Sequence, residues 1–518
     1  MLNFALNLSL MQRKWKTPVI VSEKVTALQK ELGINPLFCE LLVQRGISDY
    51  NQARRFFRPK LEHLYDPFLM QNMDNAVQRL TQAIENNEPI LLYGDYDVDG
   101  TTSVAMMYSF LEKRHKSLNF YIPDRYKEGY GISFEGIKYD SKNGVTIFIA
   151  MECRIKATAQ VAQANTAGID VIICDHHLPD ETLPDALAIL NPKRPDCQYP
   201  FKELSGCGVA FKFIQAYCQK HKLPSSEYEQ LLDFVAISIV CDIVPIVDEN
   251  RVLTYWGIKQ LNQTGRPGIK ALIQESKRQI PLSVSDIVFG LGPMINASGR
   301  LADANKAVRL MLAKNENAAM EYAKVLAHRN TLRKEYDKRI SVEAKTAFQS
   351  DPDWEYCRSI VLFQKHWHKG VIGIVASRMV EAFYRPTIIL TENDGVMVGS
   401  ARSVKGFDIH EALKLCGDLL INYGGHQFAA GLRLRPENFF SFKDRFEAVV
   451  QTYIESDQLE PEITISAELN LTEINSKFWN ILKQFAPFGP GNRNPVFVSR
   501  AVVDTGYSRV LKKEHLRL

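Results

Sequence analysis

The chain has 518 residues, 46% hydrophobic and 24% charged, and its 63 basic and 59 acidic side chains leave a net charge of +4. That is the composition of a globular protein too long for one ordinary core, so about three or four domains are expected. The near-neutral balance neither demands nor excludes a polyanion partner, and any basic surface must be local.

No stretch approaches the roughly 18 uncharged apolar residues that span a bilayer. Residues 1–10 are apolar but lack the basic flank and small-residue cleavage site of a signal peptide. Residues 1–16 are expected to form a disordered extension. Nine cysteines without a CxxC pair read as reduced thiols, which points to the cytoplasm.

Residues 17–88 carry helical periodicity, as in Ala27–Leu32 and Asn75–Leu80. From 89 the pattern alternates strand and helix, with strands expected at 89–94, 118–122, 145–151, 169–174 and 187–190. Helices are expected at 101–114, 156–167 and 208–221. Such alternation predicts a doubly wound parallel sheet over 89–314 with a helical extension. The charged stretch 315–348, with sparse Leu326, Leu332 and Ile340, reads as a bridging helix. A second, smaller α/β unit is expected over 349–456 and a small β domain over 457–518.

Two motifs carry chemistry. Gly94-Asp95-Tyr96-Asp97-Val98-Asp99-Gly100 follows the apolar run 89–93, and Asp175-His176-His177 follows 169–174. Three acids after a buried strand repel one another unless a cation neutralises them. Carboxylates mixed with imidazole suit Mn²⁺ or Mg²⁺ better than structural zinc. If the first strand continues, alternation places Asp95, Asp97 and Asp99 on one side, with Gly100 in a tight turn and Thr101-Thr102-Ser103 capping the next helix. On a strand, His176 and His177 point oppositely, so one ligates and the other faces substrate. Asp242 ends another apolar run, 234–240, as a ligand or a helix cap. The first hypothesis is a metal-dependent hydrolase.

Together these residues resemble the DHH phosphoesterase family, and within it the single-stranded-DNA exonucleases. Further matching segments are Tyr121–Arg125, Glu128-Gly129-Tyr130-Gly131, Leu190–Arg194, Leu204–Ala210 and Gly292–Arg300. Trp367–Val375, Gly399–Ser403 and Gly424–Gly431 follow, then Pro487–Asn492, which leads into an OB-like, partial β domain. The resemblance implies 5′→3′ hydrolysis of single-stranded DNA in repair and recombination, with two divalent cations, Mn²⁺ or Mg²⁺. It assigns Asp97, Asp99, Glu152, His176 and Asp242 as metal ligands, with Asp95 a nearby acid that ligates or orients. His177 contacts the scissile phosphate or protonates the leaving oxygen. Arg125, Arg300, Ser400 and Arg402 form a 5′-phosphate pocket, Tyr130 stacks on a base, and His426 faces the phosphates from the second domain. The implied partners of this monomer are single-stranded DNA, a single-strand-binding protein and a RecQ-type helicase.

The sequence departs from the family where Glu152-Cys153-Arg154 stands for Asp-Cys-Gly and where Met294 replaces an arginine. An extra methylene moves the carboxylate by more than the ~0.2 Å that metal bonds tolerate, so weaker binding or slower chemistry follows unless the site rearranges. A cation at 154 would repel the ions, and a glycine lost there would be felt if φ is positive. Two rival functions follow from these features: a catalytically impaired homologue that binds single strands or a replication partner, and a phosphoesterase of short oligonucleotides or cyclic dinucleotides.

Overall fold

The computed structural model describes residues 13–517 apart from Asn143, Arg154, Ala302, Thr505 and 512–514. Most of the expected extension therefore lies outside the described residues, as does Arg154. Its end is not disordered. Lys14–Lys16 form strand β1, paired in parallel with Glu462–Thr464, and the Lys14 amide donates to the Pro461 carbonyl.

Residues 22–85 are largely helical, with helices at Ser22–Leu32, Pro36–Val43, Tyr50–Phe57 and Met73–Glu85. Asn35 and Asp49 cap two of them by accepting from Leu37 and Gln52 amides, and Pro36 sits where its missing N–H costs nothing. Their apolar faces meet the C-terminal segment: Leu28, Phe38 and Leu42 share one core with Ala467, Phe478 and Phe485.

All five strands expected between 89 and 190 form: β2 (Ile90–Gly94), β3 (Leu118–Tyr121), β4 (Ile147–Met151), β5 (Asp170–Cys174) and β6 (Ala188–Leu190). They are parallel, in the order β3-β2-β4-β5-β6. Period-two alternation divides their side chains between two cores. Ile90, Leu92, Ile147 and Ile149 enter one, while Leu91, Tyr93, Phe148 and Ala150 enter the other. The chain leaves β2 toward β3 and returns on the opposite side at β4, so strand order reverses between β2 and β4. Ligands bind at the carboxyl edge of such a reversal. Register places Gly94, Met151 and Cys174 side by side, so Asp95, Glu152 and Asp175 emerge next to one another.

One helix, Glu316–Gln349, serves two domains. Its first half gives Ala319, Ala323 and Leu326 to the core under the parallel sheet. Its second half gives Ile340, Ala344 and Phe348 to a core with Trp367 and Val375. The second sheet comprises β7 (Ile360–Phe363), β8 (Thr387–Asn393), β9 (Val396–Arg402), β10 (Leu420–His426) and β11 (Ala429–Leu434), ordered β10-β11-β9-β8-β7. Among its neighbouring pairs only β7–β8 is parallel. Beyond residue 457, the described residues hold a helix, Ser476–Lys483, and short strand pairs rather than a closed barrel; β12 (Glu462–Thr464) belongs to β1.

Candidate metal centre and phosphate pocket

The acids of the first motif converge, but not by strand alternation. Strand β2 stops at Gly94, and a helix, Val98–Leu111, starts with Asp97 as its cap, accepting from the Gly100 amide at 3.0 Å. A strand–turn–helix corner therefore gathers Asp95, Asp97 and Asp99. Gly100 lies inside the first helical turn, not in a tight turn. A Cβ there would lie 2.4 Å from the Asp95 carbonyl oxygen, so glycine permits the close approach. Thr101, Thr102 and Ser103 do not cap; their hydroxyls donate back to the carbonyls of Asp97, Val98 and Asp99.

Asp99 is anchored by the start of a second helix, Gly206–Lys220. It accepts from the amides of Gly206 (2.7 Å) and Cys207 (2.8 Å) and from the Ser238 hydroxyl (2.6 Å). An anion at a helix N-terminus is favoured by the exposed amides and the helix dipole. Asp242 follows the last residue of the helix Leu232–Cys241, as its C-cap. Glu152 takes a left-handed conformation (φ 60°), so positive φ falls on the glutamate itself. Its Oε1 accepts from the Tyr130 hydroxyl at 2.5 Å, while its Oε2 is buried with no hydrogen-bond partner among the described residues.

Both histidines face the centre. Strand β5 ends at Cys174, so the opposition expected for strand neighbours does not apply, and the two rings lie 4.6 Å apart. His176 Nε2 sits 3.5 Å from Asp242 Oδ2 and 3.7 Å from Asp99 Oδ2. His177 Nδ1 bonds Asp175 Oδ1 at 2.8 Å, and its Nε2 lies 3.7 Å from Glu152 Oε1. Asp175 also accepts from the His176 and Ile155 amides. Burial alone would raise its pKa, but the hydrogen bond and charge of His177 hold it down at about 2. Asp175 is the positioning residue that sequence reasoning left unassigned, although it heads its own motif. Ser238 was missed too, and nothing in the sequence marks it.

The ligand atoms form three sets, each within 4.8 Å: Asp95–Asp97–Glu152, Asp99–His176–Asp242 and Glu152–His176–His177. Burial and neighbouring carboxylates raise the pKa values of Asp97, Glu152 and Asp242, while burial and the His177 charge lower His176 to about 4. Neither His176 ring nitrogen, nor Asp242 Oδ2, has a hydrogen-bond partner among the described residues. Buried polar atoms left so are costly. Crowded carboxylates and neutral imidazole at these separations fit divalent cations of the Mn²⁺ and Mg²⁺ kind.

Three guanidinium groups gather near this centre, Arg125 and Arg300 from the parallel-sheet domain and Arg402 from β9 of the second sheet. Burial and the charges of Arg125, Arg333 and Arg402 lower Arg300 to about 10; burial and Arg125 lower Arg402. Arg300 donates to the Gly370 carbonyl, and Arg402 donates to the Ser400 hydroxyl at 2.9 Å. Gly373, near the start of the helix Ile372–Phe383, clears this space: a Cβ there would lie 2.9 Å from Ser400 Oγ. Arg125 lies over the Tyr96 ring at 4.9 Å. His426 is exposed on β10, and register places it two strands from Arg402 on one face of the sheet, with Ala429 between. Tyr130 differs from its expected use: its hydroxyl is committed to Glu152, and its ring meets Tyr96 and His177 edge-on. Met294 is buried in the first core, so that position contributes packing and not cleft surface.

Comparison with known proteins identifies the family. Residues 89–239 match the DHH family N-terminal domain, 357–452 the DHHA1 domain and 465–518 the RecJ OB domain. The chain is 37% identical to the single-stranded-DNA-specific exonuclease RecJ of Bacillus subtilis, over 98% of this chain and 64% of that protein. With RecJ of Salmonella typhimurium identity is 34%, over 90% of this chain and 83% of the relative. The crystal structure of RecJ from Thermus thermophilus in complex with Mn²⁺ superposes with a TM-score of 0.82 at 26% identity, covering 94% of this chain and 69% of that one. RecJ from that source has also been solved with Mg²⁺. With its site at the sheet reversal and all three domains recognised, the chain belongs to the RecJ family of DHH-domain exonucleases.

Proposed function

We propose that the protein is a metal-dependent exonuclease that removes 5′-mononucleotides from single-stranded DNA in the 5′→3′ direction, in repair and recombination. One observation carries this reading: an oxygen- and imidazole-rich centre adjoins a group of arginines, one of them stacked on Tyr96 between Asp95 and Asp97, that make no ion pair with a carboxylate among the described residues. Asp95, Asp97, Asp99, Glu152, His176 and Asp242 would hold two divalent cations. When bound, these supply the charge that lowers the pKa of water and offsets charge building on the phosphate.

The chain's own groups do the rest. Arg125, Arg300, Arg402 and Ser400 hold the terminal 5′-phosphate by charge-assisted hydrogen bonds and thereby set which bond is presented. Asp175, kept ionised, fixes His177 with Nδ1–H toward itself, so Nε2 can take up the proton the attacking water releases and hand it to the leaving 3′-oxygen. His426 stands at the rim for the next phosphates. A monomer working in the cytoplasm with a single-strand-binding protein and a RecQ-type helicase follows from the family resemblance. No described helix is long and apolar enough to cross a membrane.

The Tyr130–Glu152 bond favours a second reading, an impaired homologue that binds single strands without cutting them. A Mn²⁺-dependent assay on long 5′-phosphorylated single strands, with the protein beside Glu152→Asp/Arg154→Gly, separates the two. Mononucleotide release by the protein itself supports the exonuclease. Release by the double variant alone supports the impaired homologue, and cleavage confined to dinucleotides rejects both.

A further inference from the structure

A second cavity lies outside the cleft, where the N-terminal helices, the start of the helix Asp248–Asn262 and the 485–492 segment meet. It encloses about 300 Å³, and its lining includes Arg45, Arg55, His63, Asp248 and Arg251. That volume is at the lower end for a small-molecule site.

Its charge is unbalanced. Arg251 is 4% exposed, and its guanidinium donates to the carbonyls of Phe56, Phe485 and Ala486 while stacking on Phe56 at 3.7 Å. Arg45 donates to Asn492 Oδ1 and to the carbonyls of Leu41 and Arg493. Carbonyls satisfy N–H groups but do not cancel the charge, and each cation raises the cost of the other. Only Asp248 offers a carboxylate in this lining, and it accepts from the Tyr65 hydroxyl at 3.0 Å. The Lys60 amide donates to His63 Nδ1 at 3.2 Å, which leaves Nε2 to carry the proton. Arg55 stands exposed at the rim. Ile246, Val247 and Val252 make the opposite wall apolar.

We propose that this cavity binds a nucleoside monophosphate, the phosphate on Arg55 and His63 within the field of Arg45 and Arg251, the base against the apolar wall. A bound nucleotide would tie the N-terminal helices to the 485–492 segment and stabilise their junction. The assignment is independent of the reaction in the cleft.

The test is calorimetric titration of dAMP and of inorganic phosphate into the full chain with EDTA present, in an Arg402→Ala background that weakens the cleft pocket, so that any binding left in the cleft is insensitive to Arg55→Glu. Saturable one-to-one dAMP binding is expected, weakened at least tenfold by Arg55→Glu, together with a dAMP-dependent rise in melting temperature that Arg55→Glu removes. Absence of saturable binding overturns the proposal, as does equal affinity in a folded Arg55→Glu variant. Inorganic phosphate binding as tightly as dAMP would overturn the nucleotide assignment.

Discussion

The Tyr130 hydroxyl donates at 2.5 Å to Glu152, whose same oxygen lies 3.7 Å from His177 Nε2. The hydroxyl thus stands between two ligand atoms of one candidate metal set. It stabilises the carboxylate when no cation does and competes with a cation for it. The extra methylene of glutamate, with its left-handed backbone, brings the carboxylate to this position. Tyr130→Phe is expected to tighten Mn²⁺ binding by roughly three- to tenfold, the equivalent of about one hydrogen bond. Electron paramagnetic resonance titration of free Mn²⁺ measures this directly; unchanged or weaker binding would remove Tyr130 as a competitor.

Asp175 is itself in none of the candidate cation sets but fixes the ring of His177, a member of one of them, through the 2.8 Å bond at Nδ1. Asp175→Asn keeps the shape and loses the charge and the acceptor at one atom. Turnover on single-stranded DNA is expected to fall roughly 10–100-fold, as when a group supporting a site residue is lost. KM should stay near that of the parent protein, and a proportionate rise in KM would show a substrate-binding role instead.

Arg402 gives a different signature. Its guanidinium, beside Ser400 and with Arg300 nearby, is expected to recognise the 5′-phosphate and not the chemistry. In Arg402→Ala, the preference for 5′-phosphorylated over 5′-hydroxyl strands should shrink by roughly tenfold or more, in line with about 1.5–3 kcal/mol for a charged hydrogen bond. Competition between the two substrates in one tube measures the ratio. A preserved preference would place phosphate recognition elsewhere.

Stability in acid has an identifiable contributor far from the centre. Arg79 bridges Glu88 and Asp170, both at 2.6 Å. Burial would raise the Glu88 pKa, yet hydrogen bonds from Arg79 and Thr146 bring it below the usual 4.5. A carboxylate depressed in the folded state adds stability above its unfolded pKa, and that stability is lost as pH falls through the folded value. Glu88→Gln should therefore flatten stability against pH below about 4.5, with a difference near pH 7 of roughly 1 kcal/mol after solvent screening. Denaturant midpoints at several pH values test it; parallel curves for the two proteins would dismiss the pair.

Much of this was legible in the sequence because β2, β4 and β5 are apolar runs closed by chemistry-bearing residues. Strand-end placement and parallel order then put those residues at one edge. What could not be read was how the corner turns. Alternation predicted a continuing strand, whereas Asp97 caps a helix, which brings the acids together differently. The histidines likewise escaped the opposition rule because the strand ends two residues earlier. Lys14–Lys16 and the helices that share a core with Phe478 and Phe485 depend on contacts over four hundred residues apart, which local periodicity does not report. Glu152 and Tyr130 were both named, but their contact belongs to the third dimension.

The helix Glu316–Gln349 is about 51 Å long at 1.5 Å per residue, and each half is sunk in a different core. It therefore acts as a fixed strut between the domain that carries the cation centre with Arg125 and Arg300 and the sheet that carries Ser400 and Arg402. Widening the gap by a hinge would pull Leu326 or Ile340 from its packing. The gauge of the cleft is set before any substrate arrives, and discrimination among nucleic-acid shapes falls to the side chains along its walls.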